Sequence, residues 1–142
     1  VGAKGLMQVM PSLGKEYGKL SPNQLLIPEK NVSVATSYLA WIEKNFYNES
    51  TISNIDKVKF VLASYNAGVG HVADARVLAK KYGLNPNVWD DNVEKMVLAK
   101  SNSKYYTDPV CKHGYCRGKE TTTYVDHIIG YYSHYSKYNE TD

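Results

Sequence analysis

Three short segments hold the side chains best suited to chemistry on a neutral, polar ligand. Gly5-Leu6-Met7-Gln8-Val9-Met10-Pro11 is an apolar turn with one uncharged amide in it. A glutamine so placed can hydrogen-bond a sugar or an amide without needing a counter-charge. Its plain structural role is a core Gln whose bonds are satisfied inside the fold. Ala63-Ser64-Tyr65-Asn66-Ala67-Gly68-Val69-Gly70 ends a helix in small residues beside Tyr and Asn. Small residues let a ligand approach the backbone closely, while Tyr65 and Asn66 offer a ring face and an amide. The plain alternative is a helix terminus with Gly68 as its stop signal. Glu120-Thr121-Thr122-Thr123-Tyr124-Val125 heads the last helix. There Glu120 either complements the positive helix end or orients a ligand or a catalytic group.

Other chemistries lack their residues. There is no Gly-rich phosphate loop, no His-Glu-x-x-His and no Gly-x-Ser-x-Gly. His71, His113, His127 and His134 are scattered; the last two stand seven apart on one helix, a spacing commoner for solvated histidines than for a weak metal pair. Cys111 and Cys116 flank Lys-His-Gly-Tyr. A tight disulfide-closed loop, free thiols and a zinc site that includes His113 all remain open, the zinc site being a ligand short. A bridge there contributes about 2 kcal/mol by loop closure and implies an oxidising compartment. The sequons at Asn31, Asn48 and Asn139 are short enough to arise by chance. Lys80-Lys81 and Asp90-Asp91 read as solvated faces.

The elements that position these segments are helical. The chain starts with an extended turn through Gln8, followed by a short helix with Pro11 in its first turn. Residues 18–28 form a loop. From Asn31 the residues Val32, Ala35, Leu39, Ile42 and Phe46 recur at helical steps. A helix over 54–67 has Ile55, Val58, Leu62 and Tyr65 as its expected inner face. Gly70 opens another, with Val72, Ala75, Leu78, Ala79 and Tyr82 inward and Gly83 as its stop. A helix through Trp89 to Ala99 buries Val93, Met96 and Val97. Residues 101–118 are irregular, and the last helix, about 119–135, turns Val125, Ile128, Ile129 and Tyr132 to one side. No segment alternates like a strand, so the expected fold is a compact all-α domain with, at most, a small extended turn or hairpin near the N-terminus.

Composition sets the outer limits. The 142 residues suffice for one core, and 17 Lys plus Arg against 14 Asp plus Glu give a net charge of only +3. Without a dense basic stripe this charge disfavours a nucleic-acid binder held by phosphate contacts, so no nucleic-acid partner is expected. No apolar run approaches the roughly 18 residues of a membrane span. Thirteen tyrosines against two phenylalanines suit wet, amphipathic surfaces such as a polysaccharide groove, although most of them simply replace Phe at half-buried positions.

In their order and spacing, the three segments resemble the soluble lytic transglycosylase family, which is related to goose-type lysozyme. That family carries Gly-Leu-Met-Gln-x-Met-Pro, then Ala-x-Tyr-Asn-Ala-Gly, then Glu-Thr-x-x-Tyr-Val, and all three are matched. Asp74-Ala75-Arg76 through Asn85-Pro86-x-x-Trp89 further resembles the membrane-bound F-type branch, where such a domain follows a periplasmic solute-binding-like domain. The resemblance implies a lysozyme-like helical fold spanning residues 1–142. It also implies cleavage, without water, of the bond between N-acetylmuramic acid and N-acetylglucosamine in peptidoglycan, leaving 1,6-anhydromuramyl ends. One Glu serves as acid toward the glycosidic oxygen and then as base toward the sugar's C6 hydroxyl, so the second carboxylate of ordinary glycosidases is not required. The implied partner is the peptidoglycan glycan strand, with no cofactor and no metal. The implied location is periplasmic, attached to the outer membrane through an N-terminal part of the parent protein and not through this domain.

By motif, Gln8 and Met10 resemble substrate-contacting residues. Tyr65 resembles the cleft Tyr near the acid, and Asn66 helps hold that region. Glu120 and Tyr124 resemble the pair lining the cleft from the last helix, with Tyr65 and Glu120 supporting catalysis. In the family the proton donor stands in a Glu-Ser pair ahead of the first motif, which places it roughly ten residues before Val1. The chain, which starts at Val1 in motif-like sequence, therefore reads as a domain truncated before its catalytic Glu and inactive alone; Glu16 and Glu29 lie on the wrong side of the motif. Two rival readings keep the cleft: a hydrolytic muramidase, and a noncatalytic peptidoglycan-binding module.

Overall fold

The computed structural model describes residues 2–139. Helices dominate, and among the described residues the β-structure is a single isolated bridge between Lys4 and Val9. The all-α expectation and the small N-terminal hairpin both hold. The chain divides into two compact units, Val1–Asn45 and Phe46–Asp142.

The first unit starts with the hairpin. Lys4 and Val9 exchange backbone hydrogen bonds of 2.8 and 2.9 Å, and the turn between them places Gly5 and Gln8 in the left-handed region. Gly5 is obligatory for two reasons: its φ is +69°, and a Cβ there would lie 2.5 Å from Asn31 Nδ2. Asn31 staples the turn. Its Oδ1 accepts from the Met7 N–H at 2.7 Å, and its Nδ2 donates to the carbonyls of Lys4 and Leu25. Because this amide is fully buried and fully bonded, the Asn31 sequon has no side chain free to modify. Pro11 opens α1 (Pro11–Gly18), and Lys19 closes it in the left-handed region. A 3₁₀ turn, Gln24–Leu26, leads to α2 (Pro28–Phe46). Val9, Leu25, Val34, Ala35 and Ile42 form the buried core. Of the expected stripe on α2, Ala35 and Ile42 are buried, but Val32 and Phe46 are exposed.

In the second unit Ser53 caps α3 (Asn54–Ala67), accepting from the Asp56 N–H while its own hydroxyl donates to the Asp56 carboxylate. Gly68, at φ +105°, both ends α3 and starts α4 (Val69–Lys81). The inner face of α3 differs from the expectation. Ile55 and Val58 are 49% and 47% exposed, Leu62 and Tyr65 are half-buried, and the buried residues are Phe60, Val61, Ala63 and Ser64. The packed face pairs the large Phe60 and Val61 with Ala63 and Ser64, whose small size lets neighbouring helices close in. On α4 the expected Val72, Ala75, Leu78 and Ala79 are buried, while Tyr82 lies outside the core.

The expected helix from Trp89 begins only at Glu94, so α5 is Glu94–Ala99. Residues 89–93 form a wide turn with Asp90 extended and Asp91 left-handed. Polar side chains there compete with the helical ladder: Asp56 Oδ1 accepts the Trp89 N–H, Asn92 Nδ2 donates to the Asp90 carbonyl, and Lys59 holds the Asp90 carboxylate at 2.8 Å. Trp89, Val93, Met96 and Val97 are buried as expected. After the short α6 (Ser103–Tyr106), α7 (Gly118–Asn139) packs against α3 and α5. A Cβ on Gly118 would lie 2.2 Å from the Val97 carbonyl oxygen, so this helix start admits only glycine. Val125 is buried, Ile129 is half-buried, and Ile128 and Tyr132 are exposed, against the expected inward face. The core is extended by stacked Tyr47 and Phe60, with Trp89 edge-on to Phe60 and the Arg76 guanidinium 5.5 Å from the Phe60 ring centre. The Asn139 sequon runs on into positions outside the described residues.

Candidate functional site

The first motif is the hairpin tip of the first unit. Val9 points into the core, while Leu6, Gln8 and Met10 are exposed. Gln8 is therefore not a core amide. Its Nε2 donates to the Gly5 carbonyl at 2.9 Å, so the side chain lies along its own turn. Its φ of 49° is one that a residue other than glycine adopts at a cost of about 1 kcal/mol. Met10 follows at the position just ahead of α1. A hollow of about 650 Å³ lined by Pro11, Lys15, Lys19 and Pro22 also lies in this unit, but it contains no motif side chain except Pro11.

In the second unit the second and third motifs meet. The end of α3 and the head of α7 are joined by a 2.9 Å hydrogen bond in which the Thr121 hydroxyl donates to Asn66 Oδ1. Around this bond lies a cleft of about 340 Å³, lined by Asn66 and Ala67 from the second motif, Glu120 and Thr121 from the third, and His71, Tyr115, Cys116 and Arg117. We take this smaller cleft as the site because hydrogen-bonding groups from separate elements converge on it. Glu120 is exposed on the rim, with Arg117 Nη1 3.8 Å from its carboxylate, and so exposed a pair adds little stability. Tyr65 and Tyr124 are half-buried beside these motifs and are not among the groups lining the cleft; burial raises the Tyr124 phenol above its ordinary range.

Beneath the cleft lies a group that the motifs do not mark. Lys100 is completely buried, with Nζ 2.8 Å from Asp74 Oδ2 and 3.0 Å from His71 Nδ1. Asp74 also accepts the backbone N–H groups of Lys112 and His113, and its Oδ1 stands 3.3 Å from His113 Nδ1. Burial works to raise the Asp74 carboxyl, but these donors, Lys100 first, overcome it and hold it down at about 2. Burial and then the Lys100 ammonium push His71 below the ordinary imidazole range. A sign of this cluster was available in the sequence: Lys100 continues the inward series Val93, Met96 and Val97 at helical steps, which puts a charge on a buried face.

The small residues after Asn66 serve this cluster as well as the cleft. A Cβ on Gly70 would lie 2.4 Å from the His113 ring, so it is an imidazole of the same chain that approaches the backbone there. The cysteines are not joined. The Cys111 thiol points to the Tyr105 carbonyl at 3.4 Å, while Cys116 is buried with its backbone N–H on the Lys100 carbonyl. Of the three readings open for this pair, the structure has the free thiols. His113, the zinc candidate, turns to Asp74. Of the charge runs read as solvated, Lys81 pairs with the nearly buried Asp108 at 2.6 Å.

Residues 1–87 match the family model described as "Transglycosylase SLT domain". Over 131 residues, 92% of this chain, the sequence is 37% identical to "Membrane-bound lytic murein transglycosylase F" of Pseudomonas fluorescens strain Pf-5, covering 25% of that protein. The proteins of the same name from Desulfosudis oleivorans and Shewanella loihica are 36% and 39% identical over the same length, covering 27% and 26% of each. The chain thus spans about a quarter of the length of these curated relatives. Among the described residues no helix is long and apolar enough to cross a membrane. With its three motifs in place, two of them joined across one cleft, and with the family model matching more than half its length, the chain belongs to the transglycosylase SLT domain family.

Proposed function

We propose that this chain is the glycan-holding domain of a peptidoglycan lytic transglycosylase, which breaks the bond between N-acetylmuramic acid and N-acetylglucosamine without water and leaves a 1,6-anhydromuramyl end. The observation that carries this reading is the Thr121–Asn66 hydrogen bond, which ties the second and third motifs into the wall of one cleft with Glu120 on its rim. A sugar chain is uncharged along its ring faces, and the cleft answers with amide, hydroxyl and imidazole groups, its two charged side chains, Arg117 and Glu120, facing each other. The names of the relatives, membrane-bound lytic murein transglycosylases, support the same substrate and a place in the cell envelope, with outer-membrane attachment as the finer form of the proposal.

Gln8 and Met10 contact the glycan from the hairpin tip. Asn66, Tyr65 and Tyr124 contact it from α3 and α7. Tyr65 and Glu120 support the reaction by orienting the groups around the scissile bond. The proton donor is not assigned to Glu16, Glu29 or Glu120, so the contribution of residues 1–142 is to bind and position.

Sedimentation of the chain with insoluble murein tests binding, and the reading predicts retention that falls when Gln8 or Asn66 is changed to Ala. Mass spectrometry of murein digested by the whole protein carrying this chain tests the reaction. Anhydro ends, lighter by one water, support it; hydrolysed ends make the protein a muramidase, retention without products makes it a binding module, and no retention rejects the glycan reading altogether.

A further inference from the structure

His71 faces the cleft beside Asn66 and Thr121, yet none of the three motifs includes it. Its position is set from beneath. Lys100 Nζ lies between Asp74 Oδ2 and His71 Nδ1, at 2.8 and 3.0 Å, and is wholly removed from solvent. An ammonium paired with a carboxylate has hydrogens to give and no lone pair to offer. Nδ1 must therefore accept, and in a neutral ring the single proton then sits on Nε2. No hydrogen bond to Nε2 forms among the described residues, and this atom is not sealed in the interior.

The surroundings keep the ring neutral. Burial, the Lys100 ammonium and His113, whose ring centre is 6.1 Å away, all oppose a second proton, and Asp74 alone favours it. On the cleft side the charged groups are Arg117 and Glu120, which face each other at 3.8 Å. Asn66 adds a matching donor: because its Oδ1 accepts from Thr121, its Nδ2–H groups are left for a ligand. The cleft thus offers two uncharged N–H donors, and because Arg117 and Glu120 offset each other it carries no net charge to draw an anion.

We infer that His71 is a substrate-contacting residue, held by the positioning residue Lys100 as the Nε2–H tautomer, and that with Asn66 it takes the carbonyl oxygen of an acetamido group on an amino sugar. The inference rests on the glycan reading above and adds to it the group that is recognised and the residue that recognises it.

Two measurements on the whole chain test it. Long-range ¹H–¹⁵N spectra at pH 7 should show His71 Nδ1 as the unprotonated nitrogen and Nε2 as the protonated one; the reverse pattern, or an imidazolium pattern, overturns the assignment. Binding is then measured with the β-1,4-linked N-acetylglucosamine tetramer and with its fully de-N-acetylated counterpart. His71→Phe should weaken the acetylated tetramer about tenfold and leave the de-acetylated one unchanged, and His71→Gln, which keeps an N–H donor, should recover most of the loss. Lys100→Met should mix the two tautomers, and if that variant does not fold the His71 pair still decides. Equal binding of the acetylated tetramer by wild type and His71→Phe, or equal losses for both sugars, overturns the inference while the glycan reading stands. Failure of the wild type to bind either the tetramer or murein overturns both, and the glycan reading is then the cause.

Discussion

Replacing Lys100 by Met isolates what its ammonium does for a buried carboxylate. Lys100 is wholly buried and Asp74 is 3% exposed, so neither charge can fall back on water when the other is lost. Breaking a buried pair typically costs about 3–5 kcal/mol. Here Asp74 keeps two backbone donors, Lys112 N at 3.0 Å and His113 N at 2.9 Å, which sets the expectation at the lower end, about 3 kcal/mol. For a chain of this length that lowers Tm by roughly 10 °C. Urea unfolding at pH 7 measures it, followed by the fluorescence of Trp89 in a Trp41→Phe background so that the signal reports the second unit. The acid limb supplies a second reading. With its folded pKa depressed to about 2, Asp74 adds stability that is complete above its ordinary value of 3.8 and is lost as pH falls toward 2. That contribution is about 2 kcal/mol. In Lys100→Met the carboxyl moves upward, protonation relieves the stranded charge, and this acid loss shrinks or reverses. A cost below about 1 kcal/mol at pH 7, together with an unchanged acid limb, refutes the argument that Lys100 is the compensating charge.

Three further outcomes follow from the same geometry. Gly118→Ala sets a methyl against the Val97 carbonyl, 2.2 Å away on rigid backbone, and should cost about 3 kcal/mol or more; Gly70→Ala meets only the half-exposed His113 ring, which swings aside for about 1 kcal/mol, so comparable melting points for the two variants would contradict the packing described. Gln8→Gly removes left-handed strain along with one exposed hydrogen bond, so chemical denaturation should show a stability change within about 1 kcal/mol while murein retention falls; equal retention would remove Gln8 from the glycan contacts. Burial raises the Tyr47 phenol to about 12 despite its 2.6 Å bond to Ser64, so its contribution is complete below pH 10 and lost as pH rises from 10 to 12; Tyr47→Phe should cost about 1 kcal/mol at pH 7 and abolish that alkaline loss, as read by denaturation at pH 8 and pH 11.

Most helices and their order were legible because helical spacing, Gly68 and Gly83 mark where segments run and stop; the short α6 fell within residues 101–118, which read as irregular. The faces were less so. On α3 and α7 Ile55, Val58, Ile128 and Tyr132 lie outward, while beside Phe60, Val61 and Val125 the buried set includes Ala63, Ser64, Thr121 and Thr122. Periodicity ranks side chains by hydropathy, whereas close helix packing also admits small polar ones. The wide turn at residues 89–93 was missed because Asp56, from α3, and Asn92 bond to backbone that a helix would otherwise use. The motifs located Asn66 and Glu120 at the cleft. They were silent on the cluster in which His71 and Asp74, one turn apart on α4, meet Lys100 from the end of α5.

The Asn31 staple has a consequence for the order in which this molecule opens. The Met7 amide has its partner 24 positions away, on the first turn of α2, and not across the hairpin. Its exchange with deuterated solvent therefore reports the fraying of that helical turn, while the Lys4 and Val9 amides report the bridge itself. If Met7 exchanges in step with the first amides of α2, the loop that presents Gln8 and the start of α2 open as one cooperative event. The exposed tip then inherits the lifetime of a helix instead of the short one expected of a hairpin only a few residues long.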